Sequence, residues 1–126
     1  ETINHHQLND LITIYPATQH LNEKLAQSRM TVVPSRNEGF GMVILEAMAQ
    51  DNIVISFKDT LGPSQLIQHN KNGYLADYAN AQSLAKYIDL AIQKKEHSEN
   101  MIEASHQTLE SYSPDKIYNA FYSIFK

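Results

Sequence analysis

The sequence predicts an α/β domain in which a parallel sheet is flanked by helices. Three short runs rich in β-branched and apolar residues, at positions 11–15, 30–34 and 53–57, have the composition of buried strands. Helical segments separate these runs, and strands joined through helices run parallel in one sheet. A chain of 126 residues is long enough to form one such domain with its own core.

The helices are predicted from apolar spacing and from capping residues. Asn22 is expected to cap a helix that runs through Ala26. Residues 42–50 are apolar on nearly all sides, which is typical of a helix wedged between a sheet and its neighbours. The residues of this helix that we expect in the core are Met42, Leu45 and Met48.

Turn residues predict where these elements end. Asn52 is expected to take the left-handed conformation that closes the helix over residues 42–50. Pro63, after Gly62, is expected near the first position of the next helix. Residues 74–76 follow a turn and form a short final strand.

The last third of the chain predicts three more helices. Asn80 begins an amphipathic helix, and residues 98–111 form a more polar surface helix. Ser113 and Pro114 begin the last helix, whose aromatic face packs either on this domain or on a partner domain. The apolar stripe of the amphipathic helix consists of Leu84, Ile88, Ala91 and Ile92, and the helix ends at Lys94-Lys95.

Composition excludes several classes of function. The formal net charge is −4 and the basic residues are scattered, so nucleic-acid binding is not expected. The absence of cysteine excludes disulfides and fits a reducing compartment. No apolar run approaches the roughly 20 residues that cross a bilayer. We therefore expect a cytoplasmic protein, in which His5-His6 is a solvated pair rather than a metal site.

The segment at residues 35–41 (Ser-Arg-Asn-Glu-Gly-Phe-Gly) is the predicted functional site. It follows a strand and precedes a helix, so it lies at the carboxyl edge of the sheet, where ligands of such folds bind. Gly39 and Gly41 let a ligand approach the main chain closely. The unpaired N–H groups of the following helix end carry partial positive charge, so the setting suits a phosphate.

Two carboxylates extend this prediction. Glu38 lies in the loop, and Glu46 lies in the second turn of the helix, from which its side chain leans toward the helix N-terminus. A carboxylate can accept two hydrogen bonds from the vicinal hydroxyls of a ribose or hexose. Phosphate at the amides and hydroxyls at the glutamates together describe a nucleotide sugar.

These residues resemble a known motif. Glu38-Gly39-Phe40-Gly41 followed by Glu46 is similar to the Glu-x7-Glu motif of retaining glycosyltransferases with the GT-B fold, in particular the family-4 group. The resemblance covers roughly residues 12–92. It continues through Glu46-Ala47-Met48-Ala49, Ile53-Val54-Ile55-Ser56, residues 62–67 (Gly-Pro-Ser-Gln-Leu-Ile) and Asn72-Gly73-Tyr74-Leu75.

The resemblance implies a fold and a role for each site residue. The chain would be a partial C-terminal, Rossmann-like domain that binds the donor, without the N-terminal acceptor domain and without the first part of this domain. Glu38 would be the catalytic residue beside the transferred hexose, and Glu46 would bind the ribose. The donor-binding residues implied are Gly39, Phe40, Gly41, Met42 and Glu46.

For the whole enzyme, the resemblance implies transfer of a hexose from a nucleoside diphosphate sugar to a hydroxyl acceptor, with retention of configuration at the anomeric carbon. The donor that we expect is a UDP-sugar. The Gly-Pro-Ser form at residues 62–64 resembles enzymes of bacterial surface polysaccharide or lipid-linked glycan synthesis. The acceptor would bind the absent domain. For the whole enzyme, the alternative to a purely cytoplasmic location is peripheral association with the inner face of the membrane. No Asp-x-Asp pair occurs, so we expect no metal, and no cofactor is expected either.

The resemblance also implies that the basic residues that bind the diphosphate lie upstream of the matching segment, in sequence that this chain lacks, with Arg36 as an alternative. We therefore expect this chain alone to be catalytically inert. Three alternatives remain open from the sequence: a GT-B-fold epimerase or phosphorylase, a non-catalytic module that binds a nucleotide sugar or a partner subunit, and an unrelated parallel α/β domain.

Overall fold

The structure, a computed structural model, describes residues 2–125 and contains a parallel three-stranded sheet with helices on both faces. The strand order is β1-β2-β3, and both neighbouring pairs are parallel, as the sequence predicts. The elements in chain order are α1 (Thr2–His5), α2 (Leu21–Ala26), β1 (Met30–Val33), α3 (Met42–Ala49), β2 (Ile53–Phe57), α4 (Pro63–Leu66), β3 (Gly73–Ala76), α5 (Ala81–Gln93), α6 (Lys95–Ser111) and α7 (Pro114–Ile124).

The central strand β2 organises the core because every one of its residues is buried. Val54 lies in an apolar cluster with residues of α3, such as Ile44 and Met48. Ile53 and Ile55 point to the opposite face, where they cluster with Tyr74, Ala91 and Met101. A continuously apolar strand is therefore covered by helices on both sides, as is usual for parallel sheets.

The predicted strand at residues 11–15 is wrong. Residues 12–18 have no regular structure, and the side chains of Leu11 and Ile14 are 81% and 79% exposed. The backbone N–H groups of Leu11 and Ile12 donate to the carbonyl of Leu8 in a local turn. High β-propensity describes side chains that suit a sheet, but a strand also needs a pairing partner, which this segment lacks within the described residues.

Two capping predictions are also wrong. The helix α2 begins at Leu21 with His20 rather than Asn22 at its N-cap, and the His20 ring is 3.1 Å from the carboxylate of Glu23. After α3, Asp51 rather than Asn52 takes the left-handed conformation, with φ 58°. Asn52 is instead buried, and its side-chain hydrogen bonds connect α2, the end of α3 and β1.

Two residues that the sequence places in the core or on an apolar stripe, Met42 and Ile92, are exposed. The side chain of Met42 is 59% exposed at the start of α3, and that of Ile92 is 54% exposed near the end of α5. Met48 and Ala91 are buried as predicted, and Leu45 packs against the core. A helix that is apolar on nearly all sides gives no sequence signal for which face is buried, so Met42 could not be placed in advance.

The C-terminal helices begin largely where the capping residues predict. The side chain of Asn80 accepts a hydrogen bond from the N–H of Ser83, 2.9 Å away, and Pro114 is the first residue of α7. The helix over residues 98–111 is longer than predicted and begins at Lys95, and it buries Met101 and Ser105. None of the helices within residues 2–125 is long and apolar enough to span a bilayer.

Candidate functional site

The site lies where β1 and β2 end. Val33, the last residue of β1, is paired with Ser56 of β2, and the Ser56 hydroxyl donates a 2.8 Å hydrogen bond to the Val33 carbonyl. This buried bond fixes the two strand ends relative to each other. The loops that leave them, residues 34–41 and 58–62, therefore start from one edge of the sheet, where ligands of parallel sheets bind.

The two loops are in direct contact. A Cβ atom added to Gly62 would lie 2.5 Å from the carbonyl oxygen of Gly39 and 3.2 Å from the carbonyl of Phe40, so only glycine fits between the loops. Gly62 also has a φ of +83°, which disfavours other residues. Between the loops lies an open cleft of about 530 Å³, lined by Arg36, Asn37, Glu38, Gly39, Asp59, Thr60 and Leu61.

The start of α3 provides backbone donors next to this cleft. Gly41 stands at the N-cap in the left-handed conformation, with φ 85° and ψ 46°. Within residues 2–125, the N–H groups of Phe40, Gly41 and Met42 donate to no backbone carbonyl and to no side chain. A helix N-terminus with such N–H groups is suited to bind an anion such as phosphate.

Glu38 and Glu46 occupy different parts of the site. Both are half-buried. Glu38 lines the cleft, and its Oε1 accepts a 2.8 Å hydrogen bond from the hydroxyl of Ser35. Glu46 lies one helical turn after Met42 and does not line the cleft, and its carboxylate makes no hydrogen bond or ion pair with another described residue.

Five of the predicted residues thus form two groups at one edge of the sheet, and Glu46 lies one turn further along α3. Glu38 and Gly39 line the cleft between the loops. Phe40, Gly41 and Met42 form the adjoining helix start.

Other residues of the site were missed by sequence reasoning. Asp59 and Thr60 line the cleft from the second loop, residues 58–62. The Thr60 hydroxyl donates to the Phe57 carbonyl at 2.8 Å, which holds that loop on β2. Tyr112, at the end of α6, packs edge-on against the ring of Phe40 with centroids 5.4 Å apart. The sequence signal that could have indicated Asp59 and Thr60 is their position shortly after the strand at residues 53–57.

Of the basic residues Lys58 and Arg36 near the site, one is ion-paired within the described residues and the other is not. Lys58 forms a 2.7 Å ion pair with Asp77, and this hydrogen bond, with the charge of Asp77, raises the pKa of Lys58. Arg36 lines the cleft, is exposed and pairs with no carboxylate of the described residues. The described chain also contains no group of three or more histidine, aspartate or glutamate side chains placed to hold a metal ion.

Comparison with known proteins identifies the family to which the chain is similar. A family model described as glycosyl transferases group 1 matches residues 1–108. The chain is 30% identical over 110 residues to an uncharacterised glycosyltransferase of Haemophilus influenzae, covering 87% of this chain and 31% of that protein. It is 31% identical over 102 residues to the poly(ribitol-phosphate) α-N-acetylglucosaminyltransferase of Staphylococcus aureus, covering 80% of this chain and 21% of that protein.

Among solved structures, one similar chain is a TarM mutant of S. aureus in complex with fondaparinux, α-GlcNAc-glycerol and UDP. The TM-score is 0.86 and the sequence identity 26%, and the match covers 98% of this chain and 25% of that one. The chain therefore spans less than a third of the length of each of these relatives.

Proposed function

Because the chain belongs to the group 1 glycosyl transferases and has the Rossmann-like fold of their GT-B members, we propose that it is the donor-binding part of a glycosyltransferase. The donor is a nucleoside diphosphate sugar, and the whole enzyme transfers its hexose to a hydroxyl acceptor with retention. The observation that supports this most directly is the combination of unpaired N–H groups at the start of α3 with the Glu38 cleft beside them.

In this proposal the diphosphate binds the backbone N–H groups of Phe40, Gly41 and Met42. Gly41 takes the left-handed conformation at the N-cap of α3, and the helix dipole adds partial positive charge at this helix end. Arg36, which lines the cleft and has no carboxylate partner in the described chain, is the cation that we expect to add to this charge.

The two glutamates bind the parts of the donor that carry hydroxyl groups. Glu38, in the cleft, accepts hydrogen bonds from the hexose and is the residue we assign to catalysis. Glu46, one turn into α3 and without a partner among the described residues, binds the ribose. Vicinal hydroxyls can share one carboxylate, because its two oxygens offer about four acceptor positions.

For retention we propose reaction on a single face of the sugar. The leaving diphosphate accepts the proton of the acceptor hydroxyl, while Glu38 orients the hexose. This differs from retaining glycosidases, in which a second carboxylate forms a covalent intermediate. The S. aureus relative is named for an α-linked product, and this is the anomer that retention gives from an α-linked donor.

UDP is the nucleotide that we expect, since the similar TarM structure contains UDP. The acceptor is a bacterial surface polysaccharide or a lipid-linked glycan, by analogy with the relative that is named for poly(ribitol-phosphate). It would bind to a further domain of the whole enzyme, which would work in the cytoplasm, where nucleotide sugars are made, or at the inner face of the membrane.

We also propose that this chain alone binds the donor but does not transfer the sugar. It spans less than a third of its curated relatives, and it offers one unpaired cation in the cleft. Loss of a single group that stabilises transition-state charge costs roughly a hundredfold to a thousandfold in rate. Robust turnover by the 126-residue chain, given an acceptor, would contradict this part of the proposal.

Titration of the isotope-labelled chain with UDP, GDP and their sugars, followed by NMR, tests donor binding. We expect shifts at the amides of Gly39, Phe40 and Gly41 that are greatly reduced in Glu46→Ala and preserved in Glu103→Ala, an exposed position of α6. Equal shifts in both variants would exclude Glu46 from the site. No shifts at millimolar ligand, in this chain and in the full-length enzyme, would contradict the proposal.

A further inference from the structure

The carboxylate of Glu38 is held by a single neutral group. The hydroxyl of Ser35 donates to Oε1 of Glu38 at 2.8 Å, in a partly buried position. No lysine, arginine or histidine forms an ion pair with Glu38 among residues 2–125, although Arg36 lies between the two residues in sequence. Oε2 of Glu38 makes no hydrogen bond to another described residue.

Ser35 lies close to the end of a strand. It lies two residues after Val33, the buried last residue of β1, whose carbonyl accepts the hydrogen bond from Ser56 of β2. Ser35 therefore lies at the start of the site loop, next to the anchored end of β1. A group held by a strand end positions a functional side chain more accurately than a group on a free loop does.

A neutral donor has a different effect on a carboxylate than a cation would have. The Ser35 hydroxyl restricts the rotation of the Glu38 side chain and occupies one oxygen, while the negative charge is not neutralised. The second oxygen remains a strong acceptor, and hydroxyl groups of a sugar are the donors that fit it. UDP lacks the transferred hexose, so it has no hexose hydroxyl to place there.

We propose that Ser35 is a positioning residue, which orients the Glu38 carboxylate toward the hydroxyls of the transferred sugar. This inference rests on the proposed function, and it assigns Ser35 to recognition of the sugar rather than of the nucleotide. Removal of the hydroxyl should therefore weaken binding of a nucleotide sugar and leave binding of the nucleotide unchanged.

The first test compares Ser35→Ala with Ser35→Thr, which keeps the hydroxyl. Affinities for UDP, UDP-glucose and UDP-N-acetylglucosamine are measured by calorimetry. For Ser35→Ala we expect about tenfold weaker binding of the nucleotide sugars with UDP unaffected, since a hydrogen bond to a charged group has about that effect. Ser35→Thr should restore most of the loss. An equal effect of Ser35→Ala on UDP and on the UDP-sugars would overturn the inference.

The second test needs no ligand. The side-chain motion of Glu38 is followed by NMR relaxation in protein with ¹³C-labelled glutamate, and Glu103, exposed on α6, is the internal control. We expect Ser35→Ala to increase the motion of Glu38 and leave Glu103 unchanged. Unchanged motion of Glu38 would overturn the inference. Increased motion of Glu38 in a protein that binds no nucleotide would support the positioning role and count against the proposed function.

Discussion

Gly62→Ala is the substitution whose effect follows most directly from the structure. The new Cβ would lie 2.5 Å from the carbonyl oxygen of Gly39, whereas ordinary contact begins at 3.4 Å, so the two loops would have to separate by about 0.9 Å. The carbonyl is backbone and cannot rotate away as a flexible side chain could. Alanine must also adopt the left-handed φ of +83° at this position.

The two costs can be estimated separately. A residue with Cβ in the left-handed region costs about 1–2 kcal/mol. Displacement of well-packed atoms costs about 1–3 kcal/mol. After a gain of about 0.4–1 kcal/mol from the less flexible unfolded chain, we expect the free energy of unfolding to fall by about 2–4 kcal/mol. With an m-value of about 2 kcal/mol/M, this lowers the urea midpoint by about 1–2 M.

Gly39→Ala is the matched control, because Gly39 belongs to the same cleft and a Cβ added there would meet no atom within 4 Å. Its urea midpoint should equal or slightly exceed that of the unchanged chain. If Gly62→Ala and Gly39→Ala unfold at the same urea concentration, the loops do not contact each other as described, and the reasoning is refuted.

Three further predictions concern residues outside the cleft. Asn72→Ala should lower the free energy of unfolding by about 3 kcal/mol because it leaves buried hydrogen-bonding groups unpaired. The control Asn100→Ala, on the exposed side of α6, should change it by less than about 0.5 kcal/mol. Equal urea midpoints of the two variants would argue against this role of Asn72. Partial desolvation of the ring, and then the charges of Lys86 and Lys58, lower the pKa of His69, whose Nδ1 accepts the N–H of Leu75 in β3. The folded state therefore favours the neutral form of His69. The resulting stabilisation is present above the unfolded pKa of about 6.5 and is lost as the pH falls through the lower folded pKa. His69→Phe should therefore reduce the fall in urea midpoint between about pH 7.5 and pH 5. An identical pH dependence in both proteins would contradict the assignment. Tyr112→Leu, which removes the ring contact with Phe40, should destabilise the chain by about 1 kcal/mol and shift the Phe40 amide resonance, whereas Tyr112→Phe should do neither.

The sequence was sufficient to predict the three parallel strands that form the sheet, and the place of the candidate loop after the first of them. Residues 30–34 and 53–57 carry a local β-branched pattern, and the glycines between them are placed where a strand turns into a helix. These signals depend on neighbouring residues only, so they can be recognised without coordinates. The parallel pairing follows because a helix intervenes between the strands.

The features that were missed depend on contacts between distant parts of the chain. Residues 11–15 have the composition of a strand, but composition does not show whether a partner strand is present. Asp51 and Asn52 are both suited to a left-handed turn, and burial of the Asn52 side chain decided which of them adopts it. The packing of Tyr112 on Phe40 joins the end of α6 to the site loop, and no local pattern predicts it.

The strand order has a consequence for how the chain behaves in solution. In the described residues β1 pairs with β2 on one side only, so its other side presents backbone groups that can pair with another strand. The exposed apolar side chains of residues 11–15 precede this strand in sequence and provide a second surface that can pack against another copy of the chain. We therefore expect reversible self-association, so that the apparent molecular mass increases with protein concentration and decreases when mild denaturant weakens the edge contact.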